Sequence, residues 1–154
     1  MHVTKMATGI AVVCAMAIAL VGCAPAPPVQ KVSAPPEAGV DELSQQNDAL
    51  DAYVEAERET IPAIMQATPG MYSEVTIDGV YPDTVEYDYV YAQQVDPAEA
   101  RDYFDSMAPT LQTLCDTGVF PAMQSAGVVS SPKVTFTYNN ADGSQIWSHT
   151  FESS

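Results

Sequence analysis

Side chains that commonly carry chemistry are scarce in this chain. It has three cysteines, two histidines, one tryptophan and five basic residues among 154. Cys14 lies inside the apolar opening segment and Cys23 directly after it, which leaves Cys115 as the sole thiol of the remainder. One thiol forms no internal disulfide, so the fold must be held by its core. Beyond His2 the only imidazole is His149, and no glycine-rich phosphate loop is present. Positive charge is the most conspicuous shortage. The formal net charge is −15, and without residues 1–22 four basic residues face twenty acidic ones, a charge of −16. Such a surface repels phosphate backbones and anionic lipid headgroups, so no nucleic-acid partner is expected. The acidic residues are spread among apolar ones, the pattern of a solvated folded surface and not of a disordered acidic tail.

Long hydrophobic runs are also missing, except at the start. "MHVTK" is a short basic opening, and from Met6 to Gly22 every residue but Thr8 is apolar or small. This run is at the lower limit for a membrane-spanning helix, and no charge follows before Lys31. An ordinary secretory cut after "CAPA" would place Pro27 behind the cleaved bond, and a core helix is out of place beside a proline-rich tail. "LVGC" at residues 20–23 resembles the lipobox of bacterial lipoproteins. The resemblance implies cleavage between Gly22 and Cys23, attachment of diacylglycerol and palmitate-type acyl chains to Cys23, and export. Each buried methylene contributes about 0.8 kcal/mol, so two or more chains hold a protein stably at a membrane. The expected location is the extracytoplasmic side of the cell membrane, anchored by lipid.

Three regions follow: a signal peptide over 1–22, the lipidated cysteine with a proline-rich tether over 23–47, and one domain over 48–154. The tether, "APAPPVQKVSAPPEAGVDELSQQN", carries five prolines and could extend about 70 Å at roughly 3.1 Å per residue. A helical turn near Asp41 is compatible with "DELS". The domain opens with a helical pattern in which Leu50, Val54, Ile61, Ile64 and Met65 share a face. Asn47 or Asp48 is its expected N-cap, and Pro62 should kink or split it. "YSEVTIDG" and "TVEYDYVYA" alternate as strands of a hairpin. Asp96, Pro97 and Glu99 form the clearest helix start, with Phe104, Met107, Leu111 and Cys115 on one face and bends expected at Pro109, Pro121 and near Gly118. "KVTFTYNNADGSQIWSHTF" reads as a second hairpin turning at 139–143.

The expected fold is therefore α+β, in the order α-β-β-α-β-β: a four-stranded antiparallel sheet with kinked helices packed on one face. "AYVEAERETIPAIM", "YPDTVEYDYVYAQQVDP", "LCDTGVFPAM" and "NADGSQIWSHTF" resemble an uncharacterised domain family of exported, often lipid-anchored proteins of Gram-positive bacteria. The resemblance implies domain boundaries and an envelope setting, and it assigns no functional residue.

Four constellations carry candidate chemistry. Cys115 and His149 could form a nucleophile–base pair, although Cys115 continues an apolar helix stripe where free cysteine behaves as a small core residue. "YNNADGS" resembles a calcium loop at Asn140, Asp142 and Gly143, yet as a hairpin turn it needs no metal. The acidic pairs Glu55/Glu59 and Asp102/Asp105 read as solvated helix faces. In "VEYDYVYA", Val85, Tyr87, Tyr89 and Tyr91 share one strand face, opposite Glu86, Asp88 and Val90, with Trp147 expected on a neighbouring strand. That aromatic face is either the core under the helices or a platform for a peptide or glycan, and the core is the favoured reading. The expected activity is that of a binding or interaction module without catalytic residues, cofactor or metal. Its partners are the membrane, through the lipid on Cys23, and an envelope protein, peptide or glycan at Tyr87, Tyr89, Tyr91 and Trp147. A small hydrolase using Cys115 and His149, and an acidic cation-binding or chaperone-like protein, are the alternatives.

Overall fold

The computed structural model describes the backbone of residues 38–153 and the side chains of residues 41–153. The expected signal peptide, Cys23 and most of the expected tether lie outside the described residues. The described residues make one compact unit. In chain order it contains α1 (Ala38–Arg58), α2 (Ile61–Ala67), β1 (Tyr72–Val80), β2 (Thr84–Tyr91), α3 (Pro97–Leu114), a π-helical turn (Cys115–Val119), α4 (Phe120–Ala126), β3 (Lys133–Asn139) and β4 (Gln145–Glu152).

The first helix begins well before residue 48, so the expected tether boundary moves back to residue 38 at the latest. Gln46 explains why. Its buried amide donates to the Pro82 carbonyl at 3.1 Å and accepts from the Ser130 N–H at 3.2 Å, joining α1 to two distant loops. Asn47 and Asp48 consequently lie within α1 and cap nothing. As expected, Pro62 splits the pattern. α1 stops at Arg58, and α2 restarts at Ile61 with the proline in its first turn, where no N–H is required.

Asp96 caps α3 as its sequence indicates, accepting from the N–H groups of Ala98 at 2.8 Å and Glu99 at 3.1 Å. The helix runs through Pro109 and meets its irregularity at Cys115–Val119, where the Phe120 N–H reaches back five residues to the Cys115 carbonyl. Pro121 supplies no N–H to the preceding turn, and widening to π geometry carries the chain past that gap into α4. Gly127 ends α4 at φ 111°, and a Cβ there would sit 3.1 Å from that of Ala49. Glycine thus serves both as the left-handed cap and as the point where α4's end meets α1.

The sheet corrects one expectation. Its order is β1-β2-β3-β4, and both hairpins are antiparallel, but the central pair β2–β3 is parallel. A parallel neighbour requires a crossover, which residues 92–132, with α3, the π turn and α4, provide. Asp83 fixes its register at the start: its carbonyl accepts from the Lys133 N–H at 2.9 Å, and its carboxylate holds the Lys133 ammonium at 3.1 Å. The sheet is therefore mixed, and the domain is α+β.

The core lies between the helices and one sheet face. Leu50, Tyr53 and Val54 of α1, Phe104 of α3, Cys115, and Phe120 and Met123 of α4 pack against Ile77, Val85, Tyr87, Val134, Phe136, Trp147 and Phe151. At Gly79 a Cβ would lie 3.3 Å from Val54 and 3.4 Å from Leu50, so the missing side chain lets α1 settle closely on β1. Glu74, Thr76, Asp78, Glu86, Asp88, Thr135, Thr137, Ser148 and Thr150 alternate onto the opposite face. There Thr135 bonds Thr150 at 2.9 Å and Thr137 bonds Ser148 at 3.0 Å.

Candidate functional site

Strand register turns the alternation of β2 into a graded surface. At the end nearest the β1–β2 turn, Val85 lies between Gly79 and Val134, with Phe151 one strand further. The next row holds Ile77, Tyr87, Phe136 and His149, and the one after it Val75, Tyr89, Tyr138 and Trp147. The helix-facing surface thus changes from aliphatic to aromatic along the strands. A β-bulge between Tyr72 and Glu74 completes the trend. Strict alternation would turn Tyr72 to the open face, but the extra residue brings its ring to 5.1 Å from Tyr89 and 5.3 Å from Tyr91. Tyr103 of α3 adds a fifth phenol at this end, 59% exposed and edge-on to Phe104.

Of the aromatic residues singled out from sequence, the structure divides four into two pairs. Tyr87 and Trp147 are core. Tyr87 is buried and stacked on Phe136, and its hydroxyl donates to the Glu57 carboxylate of α1 at 3.0 Å. Trp147 donates its indole N–H to Asp105 of α3 at 2.8 Å. Tyr89 and Tyr91 are half-buried, packed around the Tyr138 ring together with Tyr72. Tyr138 and Tyr89 stack at 4.9 Å, and Phe104 closes the far side of Tyr138 at 4.0 Å.

The hydroxyls distinguish this cluster from ordinary core. Among the described residues, those of Tyr72, Tyr89, Tyr91, Tyr103 and Tyr138 have no hydrogen-bond partner. None is a buried orphan either, for among the described residues only Asn47 Oδ1 is buried without a partner. The phenol tips therefore reach water. Burial of the rings pushes the Tyr72 pKa up to about 12, helped by Tyr91, Tyr89 and Tyr103. Burial followed by the charge of Glu57 does the same for Tyr89, again to about 12. Tyr91 and Tyr138 shift upward for the same leading reason, with Tyr103 contributing to both. At neutral pH the site presents uncharged phenols that can each donate and accept.

The remaining candidates resolve separately. Cys115 is 0% exposed, and burial, then Asp116, pushes its thiol up to about 11, away from the thiolate that nucleophilic attack requires. His149 is exposed on edge strand β4, stacked between Trp147 and Phe151, and no hydrogen bond joins it to Cys115 among the described residues. Asn140 is fully buried, and it holds a clamp that the sequence reading did not anticipate. Its Oδ1 accepts from the Val95 N–H at 2.9 Å while its amide donates to the Val95 carbonyl at 3.0 Å. Asp142 accepts from the Ser144 hydroxyl and N–H, which lowers its pKa, and Gly143 takes φ 81° in the turn. The loop read as calcium-like therefore has its oxygens engaged in the hairpin and in the entry to α3. Glu55 contacts Arg58 at 3.6 Å, and Asp105 serves Trp147. At the far end of the sheet, a cleft of about 490 Å³ opens between the start of α1, Pro82 and the loop after α4, with Gln46 tying its floor.

Sequence reading missed Tyr72, Tyr103 and Tyr138. Tyr138 alternates with Phe136 and was legible as inward-facing, but Tyr72 depends on the bulge and Tyr103 on the placement of α3. No protein-family model, curated protein or solved structure matches this chain.

Proposed function

We propose that the protein is a lipid-anchored binding module of the bacterial envelope, held at the extracytoplasmic surface through Cys23 and engaging its partner with the tyrosine face. The observation that carries this reading is the convergence of Tyr72, Tyr89, Tyr91, Tyr103 and Tyr138 at one end of the sheet, with none of their hydroxyls hydrogen-bonded or fully buried among the described residues. Phenols held this way offer large, preorganised contact area with two-way hydrogen bonding at little entropic cost, the composition favoured in protein-binding surfaces. The "LVGC" motif and the proline-rich stretch behind it supply a reason for the presentation: an anchored domain on a leash reaches partners beyond the lipid headgroups. The buried thiol at Cys115 supports binding over hydrolysis.

The test is a photo-crosslinking residue placed at Tyr103 or, as a control on the opposite face, at Thr150, in cells carrying the native anchor. A discrete adduct from position 103 that is absent from position 150 is the expected result. Indistinguishable adducts from both positions would remove the tyrosine face from consideration. Intact mass of the membrane-extracted protein tests the anchor: an unmodified thiol at Cys23 contradicts it.

A further inference from the structure

We infer that the tyrosine face receives a basic polypeptide segment, whose lysine or arginine side chains lie against the outer surface of the ring cluster; this rests on the binding-module reading above. Three observations point there.

The first is ring geometry. Tyr72 is inclined 47° to Tyr89 and 40° to Tyr91, and Tyr91 is inclined 34° to Tyr138. The rings touch one another at these angles, and the exposed ring of Tyr103 belongs to the same end of the sheet. A sugar ring stacks best on a flat, single exposed plane, which this tilted set does not offer, whereas a cation is held by any electron-rich ring face it reaches. Burial keeps Tyr72 and Tyr89 protonated well above physiological pH, so their hydroxyls can both donate to and accept from the guest's backbone.

The second is charge. Residues 41–153 contain nineteen carboxylates and only three basic side chains, Arg58, Arg101 and Lys133. Each of these is engaged within the fold, and Arg101, two residues before Tyr103 on α3, lies at the tyrosine end. Arg58 binds Asp78 and the Ile77 carbonyl, Lys133 binds Asp83, and Arg101 donates to the Ile146 carbonyl at 3.2 Å. Carboxylates border the phenols as well. Glu57 is close enough to raise the Tyr89 pKa, and Glu99 lies one helical turn before Tyr103. With so large an excess of carboxylates, an anionic guest is repelled from the domain and a cationic one is steered toward it.

The third is extent. Five rings from β1, β2, β3 and α3 exceed what one small ammonium ion would cover, and hydroxyls along the rim suit peptide N–H and C=O groups.

The experiment uses the full lipidated chain in nanodiscs of neutral phosphatidylcholine, with labelled hexa-arginine, hexa-lysine, hexa-glutamate and chitohexaose as probes at about 0.15 M salt. Three variants are compared with the parent. Tyr72→Leu/Tyr91→Leu removes two rings without altering charge. Tyr103→Ala removes an exposed ring and leaves the core untouched. Glu86→Gln/Asp88→Asn removes two charges from the opposite sheet face. The expected result is binding of the arginine and lysine peptides, weakened about tenfold by the double tyrosine change and at least about threefold by Tyr103→Ala, but less than about twofold by the change on the far face. Tetramethylammonium should compete. If the far-face variant loses the basic peptides while the tyrosine variants keep them, general attraction to an acidic protein explains the binding and the inference is overturned. If chitohexaose binds and the tyrosine changes abolish that binding, the module stands and its basic partner does not. If no probe distinguishes the tyrosine variants from the parent, both readings fail.

Discussion

At the scale of single residues, two buried groups have roles that their chemistry alone does not announce. Asn140 holds both backbone groups of Val95, so it fastens the entry of α3 to the β3–β4 turn. Replacing it by leucine keeps much of the volume and leaves that N–H and C=O unpaired, at a cost of about 1–3 kcal/mol. Urea unfolding of Asn140→Leu measures this, and an unchanged midpoint would remove the clamp from the account. Cys115 shows the reverse contrast. The sole thiol of the domain invites a nucleophilic reading, yet it is fully buried and its pKa is raised to about 11. Iodoacetamide at neutral pH should leave it unlabelled over hours in the folded protein and label it within minutes in urea. Rapid labelling of the folded protein would reopen the catalytic reading.

At the scale of elements, the sequence is most legible where local chemistry decides the outcome. Asp96 with Pro97 and Glu99 marks a helix start irrespective of context, and the cap is present; Asp96→Ala should cost about 1 kcal/mol in thermal or urea unfolding. The alternation of Val85, Tyr87, Tyr89 and Tyr91 likewise identifies the inward face of β2 correctly. Legibility fails where distant contacts decide. Residues 38–47 look like more of the tether because their polar composition lacks an apolar stripe, and Gln46 becomes structural only through partners 36 and 84 residues away. A chain trimmed to begin at residue 48 should therefore lose about 1–3 kcal/mol of stability relative to one beginning at residue 35. Equal stability of the two would restore the later boundary. The parallel β2–β3 pair was illegible for a related reason. Alternation specifies which face of a strand is buried and says nothing about its neighbour's direction, which the crossover through α4 sets. The bulge that turns Tyr72 inward has no sequence signature, so one wall of the candidate site was hidden with it.

At the scale of the whole molecule, the dominant facts are a large negative charge and a core rich in phenols. Their titration yields a stability profile. Tyr72 and Tyr89 rise from 10.0 to about 12, and Cys115 from 9.0 to about 11. Each folded-state value exceeds the unfolded one, so above about pH 9 the unfolded chain gives up protons that the folded chain retains. Stability from these groups is complete below about pH 9 and is lost as pH climbs toward 12. Urea midpoints taken from pH 8 to 11.5 should be level at first and then fall with increasing slope, and a profile flat to 11.5 would contradict the buried setting of these groups. The fold also places the candidate site and the cleft beside Pro82 at opposite ends of the sheet, which provides a natural internal control.

That control defines the most direct measurement of the central claim, that the tyrosine face is occupied in the envelope. Tyr103 lies at the tyrosine end of the molecule and is 59% exposed; Tyr81 lies at the other end and is 54% exposed. Hydroxyl-radical footprinting of the purified lipidated protein should oxidise the two rings to comparable extents. In intact cells the account predicts that oxidation of Tyr103 falls several-fold relative to Tyr81. An unchanged ratio between cells and purified protein would contradict it.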